Sequence, residues 1–193
     1  MTPFQMIAVG ASLGGFEALK TILGGLPEDF PAAIAVVQHR SQDSDAMLKL
    51  MQPYIRLPIV EVEDKDQIKG GCVYLSPPNY HLVAERGYFA LSADSPVMFA
   101  RPSIDVLFES VAESFGECAI GVLLTGMSRD GTAGLAKIKE RGGFAVVQDP
   151  ASAEGQTMPK SAIASVAVDK VLPLTEIAPF LVELCAGQRS RAC

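Results

Sequence analysis

Short apolar runs alternate with helix-like segments along most of this sequence. The runs are continuous in Val, Ile, Leu and Ala, which is typical of parallel strands that are covered by helices on both faces. Because a helical pattern follows each run, the order favours βαβ units. We therefore expect an α/β fold with a doubly wound, mostly parallel sheet, formed by one domain over residues 1–193. The predicted strands are 6–9, 33–37, 119–124, 144–147 and 168–172, and the predicted helices are 14–23, 44–51, 131–141 and 175–184.

The segment from about residue 70 to residue 92 has a different pattern. Three short apolar runs, 72–76, 80–84 and 88–91, are separated by turn residues. Such spacing favours antiparallel pairing of neighbouring strands. We therefore predict an antiparallel β-hairpin at the edge of the large sheet.

Composition narrows the class of protein. The 193-residue chain has a net charge of −6, which favours solubility and argues against nucleic acid as the main ligand. Its four cysteines show no CxxC spacing, so neither a metal site nor a disulfide framework is indicated, and a reducing compartment is favoured. No apolar run has the length of a bilayer span, and the N-terminus lacks a signal-peptide pattern. We expect a soluble, cytoplasmic chain that is not inserted in a membrane, with a loose tail over 187–193.

The segment Gly10-Ala11-Ser12-Leu13-Gly14-Gly15 lies between the first predicted strand and the first predicted helix. A dinucleotide site requires G-x-G-x-x-G, and a P-loop requires Lys-Ser/Thr after its glycines. The chain has neither pattern. The segment does match G-x-S-x-G, the turn that holds a serine nucleophile between a strand and a helix. A serine that only caps the helix is the alternative that this motif leaves open.

A serine nucleophile needs a base, and the chain has two histidines. His39 follows the second predicted strand, at the edge where sites form in open α/β sheets. His81 begins a strand of the predicted hairpin and is the alternative base. Asp130 follows a core strand and either orients the imidazole or caps a helix. Asp105 lies in the first turn of a helix that Ser103 or the residue beside it is expected to cap, and it is the alternative acid.

Several segments resemble the catalytic domain of the bacterial chemotaxis protein-glutamate methylesterases of the CheB type. The resemblance extends from about Ile7 to Leu184 and therefore covers most of the chain. It implies a doubly wound parallel sheet with an antiparallel hairpin. The matching segments are IAVGASLGG, VVQH, GCVYLSPPNYH, RPSIDVLFESVAE, GVLLTGMSRDGTAGL and the region of Met158-Pro159.

The resemblance also implies roles for individual residues. The serine of the GAS segment, the histidine of the QH segment and the aspartate of the GM-x-x-DG segment form the catalytic triad of that family, and they correspond to Ser12, His39 and Asp130. The family suggests the backbone N–H of Met127 as a donor to the oxyanion. The N–H of Leu13, directly after the nucleophile, is the general expectation for such a turn.

The implied reaction is hydrolysis of γ-methyl esters on glutamates of methyl-accepting chemoreceptors, with release of methanol, and deamidation of receptor glutamines. No metal or organic cofactor is implied. The implied partners are the cytoplasmic helices of chemoreceptors and a separate or fused regulatory domain. Family enzymes carry a receiver domain before this region, whereas Met1 lies five residues before the first strand, so we expect a stand-alone or excised catalytic domain. The alternatives are an esterase or deamidase for a non-chemotaxis protein, and a non-catalytic regulatory module.

The sequence departs from the family pattern at four places. Leu13 replaces a threonine, Ser128-Arg129 replaces a glycine-containing pair, Arg40 replaces an apolar residue and Thr157 replaces a glycine. These changes bear on rate or substrate choice, but none removes a residue of the implied triad.

Overall fold

The computed structural model describes residues 5–39 and 45–189. The strands are β1 (Met6–Ala11), β2 (Ala33–Gln38), β3 (Ile59–Glu61), β4 (Val73–Leu75), β5 (His81–Ala84), β6 (Phe89–Ser92), β7 (Ala119–Leu123), β8 (Phe144–Gln148) and β9 (Lys170–Leu172). The α-helices are α1 (Gly15–Gly24), α2 (Asp45–Met51), α3 (Ile104–Phe115), α4 (Thr132–Glu140), α5 (Thr157–Ser165) and α6 (Leu174–Arg189).

Seven strands form one parallel sheet in the order β3-β4-β2-β1-β7-β8-β9. In the centre of the sheet, Ile7 of β1 pairs with Ile34 of β2 on one side and with Ile120 of β7 on the other. The doubly wound parallel sheet is therefore confirmed. The strand order reverses between β1 and β7, and in open α/β sheets the crevice at such a switch point lies outside the carboxyl ends of the strands.

The large sheet is buried on both faces. Ile7 and Val9 of β1 pack in a core with α1, α2 and α6, whereas Met6 and Ala8 pack in a second core with α3, α4 and α5. Both sets of side chains are therefore removed from solvent when the chain folds. Full burial of a Val- or Ile-sized side chain stabilises a fold by about 1.5–3 kcal/mol. Burial on both faces explains the continuous apolar runs of the sequence.

The predicted pairing of the middle segment was wrong for its first strand. β4 lies inside the large sheet, parallel to β2 and to β3, and all three of its residues are buried. β5 and β6 do pair antiparallel, but they form a separate two-stranded sheet that packs on α3. The Ser110 Oγ of α3 accepts a hydrogen bond from the Ala84 N–H at 3.0 Å, and Ser114 Oγ donates to the Ala84 carbonyl at 2.9 Å. β3 and α5 were not predicted, because three residues are too few to show a period and α5 has a weak apolar stripe.

The ends of the predicted elements agree with the structure to within a few residues in most cases. The N-cap role predicted for Ser103 is confirmed, since its side chain accepts a hydrogen bond from the Val106 N–H. Ser44, the predicted first residue of a helix, lies outside the described residues. α6 continues to Arg189, so it includes the first residues of the predicted tail, and 190–193 lie outside the described part.

Among the described helices, none combines the length and apolar character that a bilayer crossing requires.

Candidate active site

Ser12 is the first residue after β1, where the chain turns into α1. The turn passes through Gly14 at φ 75°, and a Cβ there would lie 2.7 Å from Glu154 Oε2, so both the backbone and the space require glycine. The Ser12 N–H donates to the Thr125 carbonyl at 2.9 Å, and Thr125 Oγ1 donates to the Leu13 carbonyl at 2.8 Å. These two bonds hold the serine turn against the segment that follows β7.

His39 follows β2 and lies beside the serine turn, because its N–H donates to the carbonyl of Ala11 at 3.0 Å. Its Nε2 forms a hydrogen bond with Oδ2 of Asp130 at 2.7 Å. The imidazole is 18% exposed, whereas the Asp130 side chain is fully buried. The structure therefore links a partly exposed histidine at the carboxyl edge of the sheet to a carboxylate inside the protein.

The Asp130 carboxylate lies at the N-terminus of α3. Ser103 Oγ donates to Oδ1 at 2.8 Å, and the N–H groups of Ile104 and Asp105 donate to Oδ2 and Oδ1 at 2.7 and 3.0 Å. Burial by itself raises the pKa of Asp130. The hydrogen bonds from His39, from the two N–H groups and from Ser103 lower the pKa by more than burial raises it, so the pKa lies below its usual value. The carboxylate is thus ionised at neutral pH, and the positive end of the helix dipole also favours its charge.

An ionised carboxylate can only accept hydrogen bonds. The hydrogen of the bond between Asp130 and His39 therefore belongs to Nε2 of the imidazole. In the neutral ring the other nitrogen, Nδ1, is then unprotonated and has the lone pair that a general base needs.

The alternative histidine and the alternative acid have other partners. His81 is buried, its Nδ1 accepts a hydrogen bond from the Ser103 N–H at 3.2 Å, and its Nε2 is bonded to the Ser95 carbonyl at 3.2 Å. Asp105 is also buried and accepts a hydrogen bond from the Gly134 N–H at 2.7 Å. Burial raises the pKa of Asp105 to about 6. The structure pairs His39 with Asp130, and it gives these other two side chains contacts around the N-termini of α3 and α4.

Leu13 and Met127, whose N–H groups are the two predicted oxyanion donors, are 49% and 60% exposed. Neither N–H donates to a residue of the described part. Met127 follows Gly126, whose backbone lies so close to the serine that a Cβ there would be 2.9 Å from Ser12 Cβ. An unpaired N–H beside a serine is suited to stabilising negative charge that develops during acyl transfer.

Gln38 is a residue of the site that the sequence analysis did not single out. Its Nε2 donates to the Ser12 carbonyl at 2.8 Å and to the His39 carbonyl at 3.1 Å. Its Oε1 is buried and has no hydrogen-bond partner among the described residues, and it lies so close to Gly15 that a Cβ there would collide with it. The sequence did contain a signal for Gln38. It is the polar residue at the end of the apolar run AIAVVQ of β2, and it stands directly before a candidate base.

A second unpredicted group supports the segment after β7. Gln148 Oε1 accepts a hydrogen bond from the Thr125 N–H at 2.9 Å, and Thr125 Oγ1 accepts one from the Gly155 N–H at 2.8 Å. The Gly126 N–H donates to the Gly155 carbonyl at 2.8 Å, and the Gly126 carbonyl accepts a hydrogen bond from the Met158 N–H at 2.9 Å. The start of α5 is therefore bonded to the segment that carries Met127, which gives the Met158-Pro159 region a place in the site.

The described positions that depart from the family pattern, Leu13, Ser128-Arg129 and Thr157, lie around the same edge. Arg129 is exposed, and Thr157 Oγ1 contacts Met127 Sδ at 3.7 Å. Arg40 lies outside the described residues. Among the residues that are described, no group of three or more His, Cys, Asp or Glu side chains could hold a metal ion.

These features define an α/β protein whose Ser12 turn, His39 and Asp130 lie along the carboxyl edge of a parallel sheet, next to its switch point. Residues 7–181 match the CheB methylesterase family. The chain therefore belongs to the CheB methylesterase family.

Individual relatives agree with this assignment. The chain is 47% identical over 183 residues to a protein of Leptospira interrogans (strain Fiocruz L1-130) that is proposed to be a protein-glutamate methylesterase/protein-glutamine glutaminase, and the match covers 94% of this chain and 95% of that protein. It is 39% identical to the protein-glutamate methylesterase FrzG of Myxococcus xanthus, over 94% of this chain and 55% of FrzG. The chain therefore spans about half the length of FrzG. The crystal structure of the Thermotoga maritima CheB methylesterase catalytic domain superposes with a TM-score of 0.90 at 34% identity, over 95% of this chain and 100% of that chain.

Proposed function

We propose that this chain is a serine hydrolase that removes γ-methyl esters from glutamates of methyl-accepting chemoreceptors, releases methanol, and deamidates receptor glutamines. The observation that carries the proposal is the 2.7 Å hydrogen bond between His39 and a buried Asp130 beside the Ser12 turn. The names of the relatives supply the substrate class, because they describe protein-glutamate methylesterases and protein-glutamine glutaminases. Control by a separate or fused regulatory domain stays a prediction.

In the first step, Ser12 Oγ attacks the γ-carbonyl carbon of the glutamyl ester. Within the described part of the chain, Ser12 Oγ makes no hydrogen bond, so the hydroxyl can rotate toward either the base or the ester. Nδ1 of His39 takes the hydroxyl proton, while Asp130 holds the ring and stabilises the imidazolium that forms. The N–H groups of Leu13 and Met127 stabilise the oxyanion.

The tetrahedral intermediate then collapses. The bond to the methoxy oxygen breaks, His39 returns the proton to that oxygen, and methanol leaves a glutamyl-enzyme ester on Ser12. A water molecule, deprotonated by His39, attacks this ester. The bond to Ser12 Oγ then breaks, His39 returns the proton to that oxygen, and the glutamate is released. The same two steps on a glutamine side chain release ammonia in place of methanol.

The direct experiment measures methanol release from methylated chemoreceptor membranes. The unmodified chain should release methanol, and Ser12→Ala should reduce the rate to the background of membranes alone. Since Ser12 is partly exposed and its side chain makes no hydrogen bond within the described part, the variant should unfold at the same urea concentration as the unmodified chain. Retained turnover by folded Ser12→Ala would contradict the serine mechanism. No release by the unmodified chain from methylated receptors, together with hydrolysis of a small methyl ester, would instead point to a different protein substrate.

A further inference from the structure

A turn beside the candidate base places two large apolar side chains in water. Val97 and Ala100 close the turn through two backbone hydrogen bonds, from the Val97 N–H to the Ala100 carbonyl at 3.0 Å and from the Ala100 N–H to the Val97 carbonyl at 2.8 Å. Between them, the side chain of Met98 is 50% exposed and that of Phe99 is fully exposed. We call residues 97–100 the Met-Phe turn.

The backbone of the Met-Phe turn is unfavourable for the residues that occupy it. Met98 and Phe99 have φ angles of 47° and 65°. Two positive φ values in a two-residue turn are the pattern for which Asn-Gly is preferred, and they are costly for bulky side chains. Since neither burial nor backbone preference favours Met and Phe here, local stability does not account for these residues. Strained positions of this kind are concentrated at functional sites.

The Met-Phe turn adjoins the site. Phe99 and His39 line the same cavity of about 230 Å³, together with Arg101. Met98 lines a second cavity, of about 340 Å³, together with Arg129. The turn is also anchored, because Arg101 Nη1 donates to the carbonyls of Ala93 and Asp94 at 2.9 and 3.1 Å. Phe99 thus shares a cavity with the candidate base and with Arg101, and Met98 shares a cavity with Arg129.

We infer that the Met-Phe turn is a docking surface for the helix of the protein substrate that carries the reacting glutamyl side chain; this inference rests on the proposed function. On a helix, residues three and four positions apart share a face. When a glutamyl ester reaches Ser12, the residues one turn along its helix therefore come close to Phe99 and Met98, whose exposed side chains suit apolar residues at those positions. The guanidinium groups of Arg101 and Arg129 can pair with the carboxylates of unesterified glutamates on the same helix. They place positive charge beside the site in a chain whose net charge is −6.

The first test compares a protein substrate with a small one. Phe99→Ala should lower kcat/KM on methylated receptor by about tenfold or more, and it should leave kcat/KM on glutamate γ-methyl ester within about twofold, since the small ester has no helix to dock on the turn. Tyr54→Ala is the matched control, because Tyr54 is 58% exposed and its carbonyl lies next to Gly24 at the far end of α1. It should leave both values unchanged. Equal loss on both substrates, or no loss on either, would overturn the inference.

The second test separates binding from folding. The double variant Met98→Asn/Phe99→Gly has the residues that the turn prefers, so it should raise Tm by about 2 °C or more while receptor hydrolysis falls at least as far as in Phe99→Ala. A fall in Tm would show that the two side chains act in folding and would overturn the docking role. Failure of the unmodified chain on methylated receptor would contradict the proposed function, and the inference with it. Full activity of the unmodified chain with undiminished activity of both variants would contradict the inference alone.

Discussion

Nε2 of His39 and Oδ2 of Asp130 lie 2.7 Å apart across the boundary between the surface and the core of the protein. The imidazole is partly exposed, and the aspartate is fully buried among donors at the N-terminus of α3. The same carboxylate that orients the histidine therefore also caps a helix. Substitutions at Asp130 should affect catalysis and stability together.

Asp130→Asn should lower kcat for methanol release by up to about 10⁴-fold, because an amide can donate to the imidazole and favour the wrong tautomer. It should also destabilise the fold by about 2–4 kcal/mol, since the amide NH₂ faces N–H donors in a buried site. Methanol assays and urea unfolding measure the two effects. Asp66→Asn is the control, because Asp66 accepts a hydrogen bond from the Glu63 N–H in an exposed loop. A loss of activity below tenfold would mean that Asp130 only caps α3.

His39→Gln should abolish hydrolysis, because it removes the proton acceptor while the fold keeps an amide of similar size. His81→Gln should retain most of kcat but lower Tm, since His81 is buried between the Ser103 N–H and the Ser95 carbonyl. Kinetics and thermal unfolding of both variants distinguish the two roles. The opposite order of activities would identify His81 as the base.

Gln38→Leu should lower kcat about tenfold with little change in KM, because one amide holds the carbonyls of both Ser12 and His39. Gly15→Ala should have a similar effect, since its Cβ would displace the Gln38 side chain. Gln52→Leu is the matched control, because Gln52 donates to the Ile55 carbonyl in another part of the chain. An increase in KM alone would instead assign Gln38 to substrate binding.

Asp105→Asn should change how stability depends on pH. Burial raises the pKa of Asp105 from 3.8 to about 6, so the folded state binds this proton more tightly than the unfolded state. The contribution of Asp105 to the free energy of unfolding therefore falls as the pH rises from about 4 to about 6, and it stays low above that range. Asn has no such proton and can still accept the hydrogen bond from Gly134.

Urea unfolding of both proteins between pH 4 and pH 7 tests this prediction. The stability of Asp105→Asn relative to the unmodified chain should increase with pH over that range. Asp130 acts in the opposite direction, because its lowered pKa stabilises the folded state above its usual pKa and this stabilisation is lost at lower pH. A stability difference that does not change with pH would show that Asp105 keeps an ordinary pKa in the folded protein.

The sequence by itself determined the class of fold and the edge of the sheet where the candidate site lies. Continuous apolar runs require strands that are buried on both faces, and the polar residues directly after such runs must emerge at the carboxyl edge. Ser12, His39 and Asp130 were therefore candidates from their positions after β1, β2 and β7, whereas the choice of His39 over His81 and of Asp130 over Asp105 came from the family resemblance. The antiparallel pairing of β5 with β6 was also predictable from a local turn.

The tertiary structure alone decided which partners those residues have. The place of β4 between β2 and β3 depends on contacts far apart in sequence, and a three-residue strand contains too little periodicity to reveal it. The hydrogen bonds of Asp130 to the start of α3, and the hydrogen bond of Gln38 to the Ser12 carbonyl, join segments that no local pattern connects. Composition could not show that Met98 and Phe99 are exposed, because large apolar residues are most often buried. Their exposure is visible only in the folded structure.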